Sequence, residues 1–319
     1  MTKPSKWVVL GAKVLVLAGL VYVIRKQVDP SSFAALFTDL HAGYFVLALA
    51  LIFLVPVIMA LRLGYVSGEN GLRLIPCLIK SYFFNNLFPA QIGGDLYKIV
   101  RLSQLTGEKK RSVAYVVSDR VMGMTGVTLL AVINVALGAS HFTDERIHTG
   151  IAVYVVAVAI FFAGVFLVPE RGLELIGRML PIGSLMDKLR AMRGYARETF
   201  RTRLPGGIGL TLVAYYILVA ANICAMQALG LGSFPLISAL YIPVIAIVVV
   251  TLPISFNGLG VRESLFILFF SMAGFSNEES LALAAVNLAG VLLVSIVGGL
   301  MVLASRTSPK RVRAEADQV

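Results

Sequence analysis

Six stretches of this sequence, residues 7–24, 44–61, 112–138, 151–168, 207–229 and 281–304, stay apolar for about eighteen residues or more. That is the length a helix needs to cross roughly 30 Å of hydrocarbon. Backbone inside hydrocarbon must satisfy its own hydrogen bonds, which a helix does within one segment. The runs therefore predict an all-α polytopic integral membrane protein. Composition supports this: 58% of the 319 residues are hydrophobic and only 14% are charged, whereas about a quarter of a soluble domain is charged. Too few charges exist to cover a soluble protein of this length.

The net charge of +11 does not point to nucleic acid, because no aromatic–basic platform or zinc motif accompanies it. Basic loops orient membrane helices and favour anionic lipid headgroups. Cys77 and Cys224 lie far apart in apolar stretches, so neither a disulfide framework nor a metal site is indicated. The first run follows Lys3 and Lys6 and meets Arg25 and Lys26 directly. A cleaved leader has a shorter core and a small-residue cleavage site, so this run reads as a retained helix.

Charge sets the orientation. The connection 169–206 carries Arg171, Arg178, Lys188, Arg190, Arg193, Arg197, Arg201 and Arg203 against four acids. Lys109, Lys110 and Arg111 precede the third run, and Arg306, Lys310, Arg311 and Arg313 follow the last. The positive-inside rule places all three groups in the cytoplasm. Arg25 and Lys26 then fall outside, against the rule. The expectation is one transmembrane domain over residues 1–304 and a tail over 305–319, both termini cytoplasmic, in the inner membrane. Leu185, Leu189, Met192, Ala196 and Phe200 share a helical face within 170–203, which reads as a basic helix in the cytoplasmic interface or as a helix packed on neighbouring loops.

Two further apolar stretches are interrupted. Residues 74–92 contain Pro76, Lys80, Asn85, Asn86 and Pro89; residues 236–276 contain Pro243, Pro253, Asn257, Gly258 and Gly260. The second crossing ends inside at Arg62 and the third starts inside at Lys109, so residues 74–98 cross an even number of times. They are too short for two crossings at ~20 residues each and read as a re-entrant hairpin. Residues 236–276 read as a second hairpin from outside or as two crossings. Both stretches place a proline before paired glycines and opposite charges: Pro89, Gly93, Gly94, Asp95 and Lys98 in one, Pro253, Gly258, Gly260, Arg262 and Glu263 in the other. Such an inverted repeat commonly frames a substrate site.

Irregular backbone at membrane depth is tolerated only where protein buries it or water lines it. Pro89, Gly93, Gly94, Pro253, Gly258 and Gly260 are therefore expected around a polar cavity, as flexible elements, rather than in ordinary surface loops. Asp119 and Arg120 lie about eight residues into the third run, on the order of 12 Å deep. Charges at depth cost at least ~2.5–3.5 kcal/mol unless paired. Lys98 or Arg262 is the expected partner of Asp119, and Asp95 or Glu263 that of Arg120. A structural ion pair is one reading. The other is a phosphate site built from Lys80, Lys98, Arg120 and Arg262, because guanidinium forks match phosphate oxygens. Asp95, Asp119 and Glu263 would balance those charges or meet a cationic headgroup. Asn85, Asn86, Gln91, Ser255 and Asn257 would supply neutral hydrogen bonds to a headgroup or cap their own loops. No phosphate-binding ATPase loop, nucleophile elbow or metal cluster occurs: His41, His141 and His148 are scattered. No cofactor, metal or catalytic residue is expected.

Three segments resemble signatures of the lysylphosphatidylglycerol synthase transmembrane-region family, also called flippase-like domain proteins. They are Asn85 to Asp95 (NNLFPAQIGGD), Ser118 to Gly123 (SDRVMG) and Pro253 to Glu263 (PISFNGLGVRE). They stand in the expected order, and Arg62 sits where such proteins often carry arginine. The resemblance covers nearly the whole chain. It implies a membrane part that moves a phospholipid or lipid-linked headgroup between leaflets, while the aminoacyl transfer of lysyl-lipid synthases belongs to a separate soluble domain. Lys98 stands where an arginine is common. Only residues 305–319 follow the last run, so the expectation is a stand-alone member whose lipid need not be lysyl-lipid. The partners expected are membrane lipids, anionic or polyprenyl-phosphate-linked. A soluble transferase and a second copy of the chain are the further partners this allows. The rival function is a membrane transferase, or the membrane subunit or scaffold of a soluble one.

Overall fold

The computed structural model describes residues 28–87, 92–137, 152, 155, 156, 159, 160, 183–232, 234, 236, 241–243, 245 and 260–305. Eight helices follow one another among them: α1 (Pro30–Ala35), α2 (Ala42–Ser67), α3 (Gly71–Leu87), α4 (Ile92–Thr106), α5 (Lys109–Leu137), α6 (Gly183–Ala228), α7 (Val261–Met272) and α8 (Asn277–Ala304). No strand occurs among the described residues. Among the described residues four segments are long and apolar enough to cross a membrane: Ala42–Ser67, Lys109–Ile133, Gly194–Ala228 and Asn277–Ala304. They contain the crossings expected at 44–61, 112–138, 207–229 and 281–304, within a few residues at the ends. The runs at 7–24 and, for the most part, 151–168 lie outside the described residues.

The helix ends follow local chemistry. Asp29 caps α1, its carboxylate accepting from the Ser32 amide at 2.9 Å and the Ser31 and Ser32 hydroxyls at 2.5 and 2.7 Å. These bonds, with Pro30 opening the helix, suit an N-terminus, and the Ser31 hydroxyl above all holds the Asp29 carboxyl far below the usual carboxylate range. Ser276 and Glu279 exchange bonds at the start of α8, at 2.7 and 3.1 Å, a reciprocal cap that satisfies two otherwise orphaned amides. Helix α2 ends at Gly68, whose φ of 80° is a left-handed conformation glycine adopts without a Cβ clash.

Two expectations change. Pro76 does not interrupt α3, which runs from Gly71 to Leu87. Nor are the basic helix expected at 170–203, where it is described, and the crossing at 207–229 separate, because α6 continues through Pro205 for 46 residues. A proline removes one backbone bond, and the turns on either side hold each helix together. At about 1.5 Å per residue α6 is roughly 69 Å long, more than a crossing requires. Its face at Ala196 and Phe200 is buried.

The chain divides into two compact units. The first comprises Met1–Pro56, Ile79–Gly94 and Ala214–Arg306. Its helices pack through small residues: a Cβ on Gly298 would stand 2.4 Å from the Ile79 carbonyl oxygen, and one on Gly290 2.6 Å from Ile52. Buried Asn287 donates to Asn222 at 3.3 Å and to the Leu283 carbonyl at 3.0 Å, tying α8 to α6. Tyr241, Phe266, Phe269, Phe270 and Phe275 form a run of edge-on, tilted and stacked rings.

The second unit comprises Val57–Leu78, Asp95–Val213 and Thr307–Val319. Here α2 and α3 cross at Gly64 and Gly71, where a Cβ on Gly64 would meet the Gly71 Cα at 2.4 Å. Arg203 of α6 donates to the Tyr65 carbonyl and lies over its ring at 6.0 Å. A cation at the C-terminal end of α2 suits the helix dipole there.

Candidate functional site

The second unit gathers five ionised side chains from α2, α4 and α5. Arg62 of α2 donates from Nε to Asp119 Oδ1 at 2.7 Å and from Nη2 to Oδ2 at 3.1 Å. Its Nη1 donates to Thr211 Oγ1 of α6 at 3.0 Å, and the Thr211 hydroxyl in turn donates to the Gly207 carbonyl at 2.8 Å. The Arg62 and Asp119 side chains are only 7% and 3% exposed. The two parallel bonds are the geometry a planar guanidinium offers a carboxylate, and lysine cannot reproduce it. A fork so occupied has little left for a ligand.

This corrects the expected pairing of Asp119 with Lys98 or Arg262. Arg62 reaches Asp119 because α5 carries Gly123 one turn on, where a Cβ would stand 2.7 Å from Arg62 Nη1. The missing side chain opens the channel through which the guanidinium passes. Position 62 and the glycine four residues after Asp119 were visible in the sequence, but their distance apart in the chain hid the pairing. Thr211 gave no sequence signal.

Arg120 points elsewhere. Successive residues on a helix are about 100° apart around its axis, so Asp119 and Arg120 leave α5 on different bearings. Arg120 donates from Nη1 to Asp95 Oδ2, as one of the two expected pairings has it. The other oxygen, Asp95 Oδ1, takes Lys98 Nζ at 2.7 Å. Asp95 occupies the first turn of α4, where a negative charge suits the helix dipole, and Lys98 follows one turn later. Exposure rises from Lys98 at 14% through Asp95 at 21% to Arg120 at 36%. Two cations therefore share one carboxylate, and the more accessible one is a guanidinium. Such a group with excess positive charge can take an oxyanion by charge-assisted bonds.

The remaining expected residues fall in the first unit or outside the description. Lys80 donates to Ser305 Oγ at 2.8 Å, beside the C-terminal end of α8. Asn85 Oδ1 accepts from the Gly94 amide at 2.8 Å. That contact closes α3 on the start of α4: a Cβ on Gly94 would lie 2.5 Å from Asn85 Oδ1 and 2.8 Å from the Ser81 carbonyl oxygen. Gly93 is buried at the same turn. Gly260, with φ 81°, opens α7 and donates its amide to Glu263 Oε2 at 2.6 Å. Glu263 is buried, and neighbouring Arg262 is half-buried. Pro89, Gln91, Pro253, Ser255, Asn257 and Gly258, together with the Asn86 side chain, lie outside the described residues. Among the described residues no group of acids, cysteines or histidines is arranged to hold a metal ion.

No curated protein and no solved structure matches the chain. A family model does: the lysylphosphatidylglycerol synthase TM region, over residues 10–305. That span takes in Asp95, Asp119, Arg120, Arg262 and Glu263, the charged residues of the resembling segments, and Arg62 as well. With four helices able to cross a bilayer among the described residues and a match over nearly its whole length, this membrane protein belongs to the lysylphosphatidylglycerol synthase TM region family.

Proposed function

We propose that the protein moves a phospholipid or lipid-linked headgroup between membrane leaflets. One observation carries the reading: Lys98 and the partly exposed Arg120 converge on a single carboxylate, Asp95, leaving one positive charge in excess in a segment flanked by apolar helices. Burying such a charge is costly, and a lipid phosphate would neutralise it while its tails stay in the hydrocarbon. Arg262 and Lys80 are further candidate phosphate ligands in the first unit. Glu263 balances charge or meets a cationic headgroup, whereas Asp119 balances Arg62.

The arrangement that goes with this function has six full crossings, two re-entrant hairpins related as an inverted repeat, and both termini in the cytoplasm. The hairpins at Gly93–Gly94 and Gly258–Gly260 flex to expose the headgroup site to either side in turn.

The test is a leaflet assay on the purified chain in liposomes. Fluorescent phospholipid should change leaflet with no other component present. Arg120→Ala and Arg262→Ala, each checked for folding by size exclusion, should slow that movement at least about tenfold, a loss of ~1.4 kcal/mol of barrier lowering. If both variants move lipid at the wild-type rate, the phosphate site is assigned wrongly. If headgroups are altered chemically, the transferase reading replaces this one. If lipid neither moves nor changes while a soluble protein co-purifies, a scaffold role does.

A further inference from the structure

We propose that the Asp95 carboxylate is an internal stand-in for the ligand's phosphate, which displaces it from Lys98 and Arg120 on binding. The inference rests on the lipid-handling reading and adds how the site is kept closed and emptied.

The geometry is that of an occupied oxyanion site. One Asp95 oxygen lies 2.7 Å from Lys98 Nζ, and the other takes Arg120 Nη1. A phosphate would offer the same two cations two charged oxygens in the same way. The neighbouring pair behaves differently: both Asp119 oxygens are held by one guanidinium whose third nitrogen is spent on Thr211. That pair is closed and 3–7% exposed, whereas the Asp95 group opens toward Arg120 at 36%. Among the described residues of the group, Arg120 is the one most open to an anion.

The backbone beside Asp95 is pinned. Gly94 donates to Asn85 at 2.8 Å and has no room for a Cβ against Asn85 and Ser81. Displacement is then a side-chain rotation of Asp95 between staggered rotamers, with the phosphate replacing the bonds it gives up, rather than a movement of the chain. The exchange gives the two cations an anionic partner in both states. A bare cation pair would hold a phosphate more tightly, and the returning carboxylate competes the lipid out. The alternative is a permanent structural triad.

The experiment titrates the purified full chain in detergent with two soluble probes, dihexanoyl phosphatidylglycerol (a phosphodiester) and geranyl phosphate (a phosphomonoester). Asp95→Asn removes the competing charge and keeps the shape. Apparent affinity is reduced by the fraction of protein whose site is closed, so D95N should tighten binding of at least one probe by about tenfold, and the probe affected identifies the lipid class. Arg120→Ala should weaken it. If R120A weakens binding but D95N leaves it unchanged or weaker, displacement is wrong and the lipid site stands. If R120A has no effect on either probe, the site reading itself fails. Should D95N not fold, wild-type protein carrying 13C-labelled aspartate answers the same question. Infrared difference spectra should show an aspartate carboxylate band shift when the probe binds; no shift overturns displacement.

Discussion

Arg62 and Asp119 stand 57 residues apart in the chain and are joined by two parallel hydrogen bonds at 2.7 and 3.1 Å, both side chains buried. This ties α2 to α5, and the third guanidinium nitrogen adds α6 through Thr211. Removing one member leaves the other buried and charged, which typically costs ~3–5 kcal/mol. Asp119→Ala should therefore lower thermal stability sharply in detergent micelles. The double variant Arg62→Met, Asp119→Leu should recover part of the loss, because no bare charge remains. A single variant melting like wild type would show that the pair is not sheltered.

Gly123 is expected to be intolerant of even a methyl group. Its Cβ would stand 2.7 Å from Arg62 Nη1, and overpacking of this sort costs about 1–3 kcal/mol. Gly209 on α6 has nothing within 4 Å of its Cβ position, so Gly209→Ala should be neutral or stabilise by up to ~1 kcal/mol through helix propensity. Comparing the two melting temperatures separates close packing from a general glycine effect.

In the first unit, Asn287→Ala deletes the bonds to Asn222 and to the Leu283 carbonyl. Side-chain hydrogen bonds between membrane helices average about 0.6 kcal/mol and reach ~1.7. A loss in that range is expected in a denaturant titration. A loss several times larger would mean that Asn287 carries packing as well.

Asp29 should give a pH signature confined to α1. Its carboxyl is held far below the usual range by the Ser31 and Ser32 hydrogen bonds. A depressed folded-state value means that the cap's contribution is full above the unfolded value of about 3.9 and is lost only as pH falls below it. Amide exchange in Pro30–Ala35, corrected for its intrinsic pH dependence, should show constant protection from pH 8 to pH 5 and less in Asp29→Ala throughout. Protection that changed between pH 5 and pH 8 would point to another titrating group.

Much of this protein was legible residue by residue. Runs such as 44–61 and 281–304 read as crossings because length and apolarity alone decide what a helix does in lipid. The pairing of Arg120 with Asp95 was also within reach, as a short list of opposite charges at similar depth. Pro76 misled, because local propensity reports a lost backbone bond and not the turns that outweigh it. The partner of Asp119 was missed, since Arg62 reads as a loop charge at the end of its run.

The sequence by itself determined a helical membrane protein and the residues from which a charged site could be built, because desolvation in hydrocarbon acts on composition and spacing, whatever the packing. Only the tertiary structure decided which charge meets which. Pairing depends on helix rotation and on gaps such as Gly123, and both arise where separate helices meet. That is why Arg62 is closed around Asp119, while Arg120 shares Asp95 with Lys98 and stays partly open.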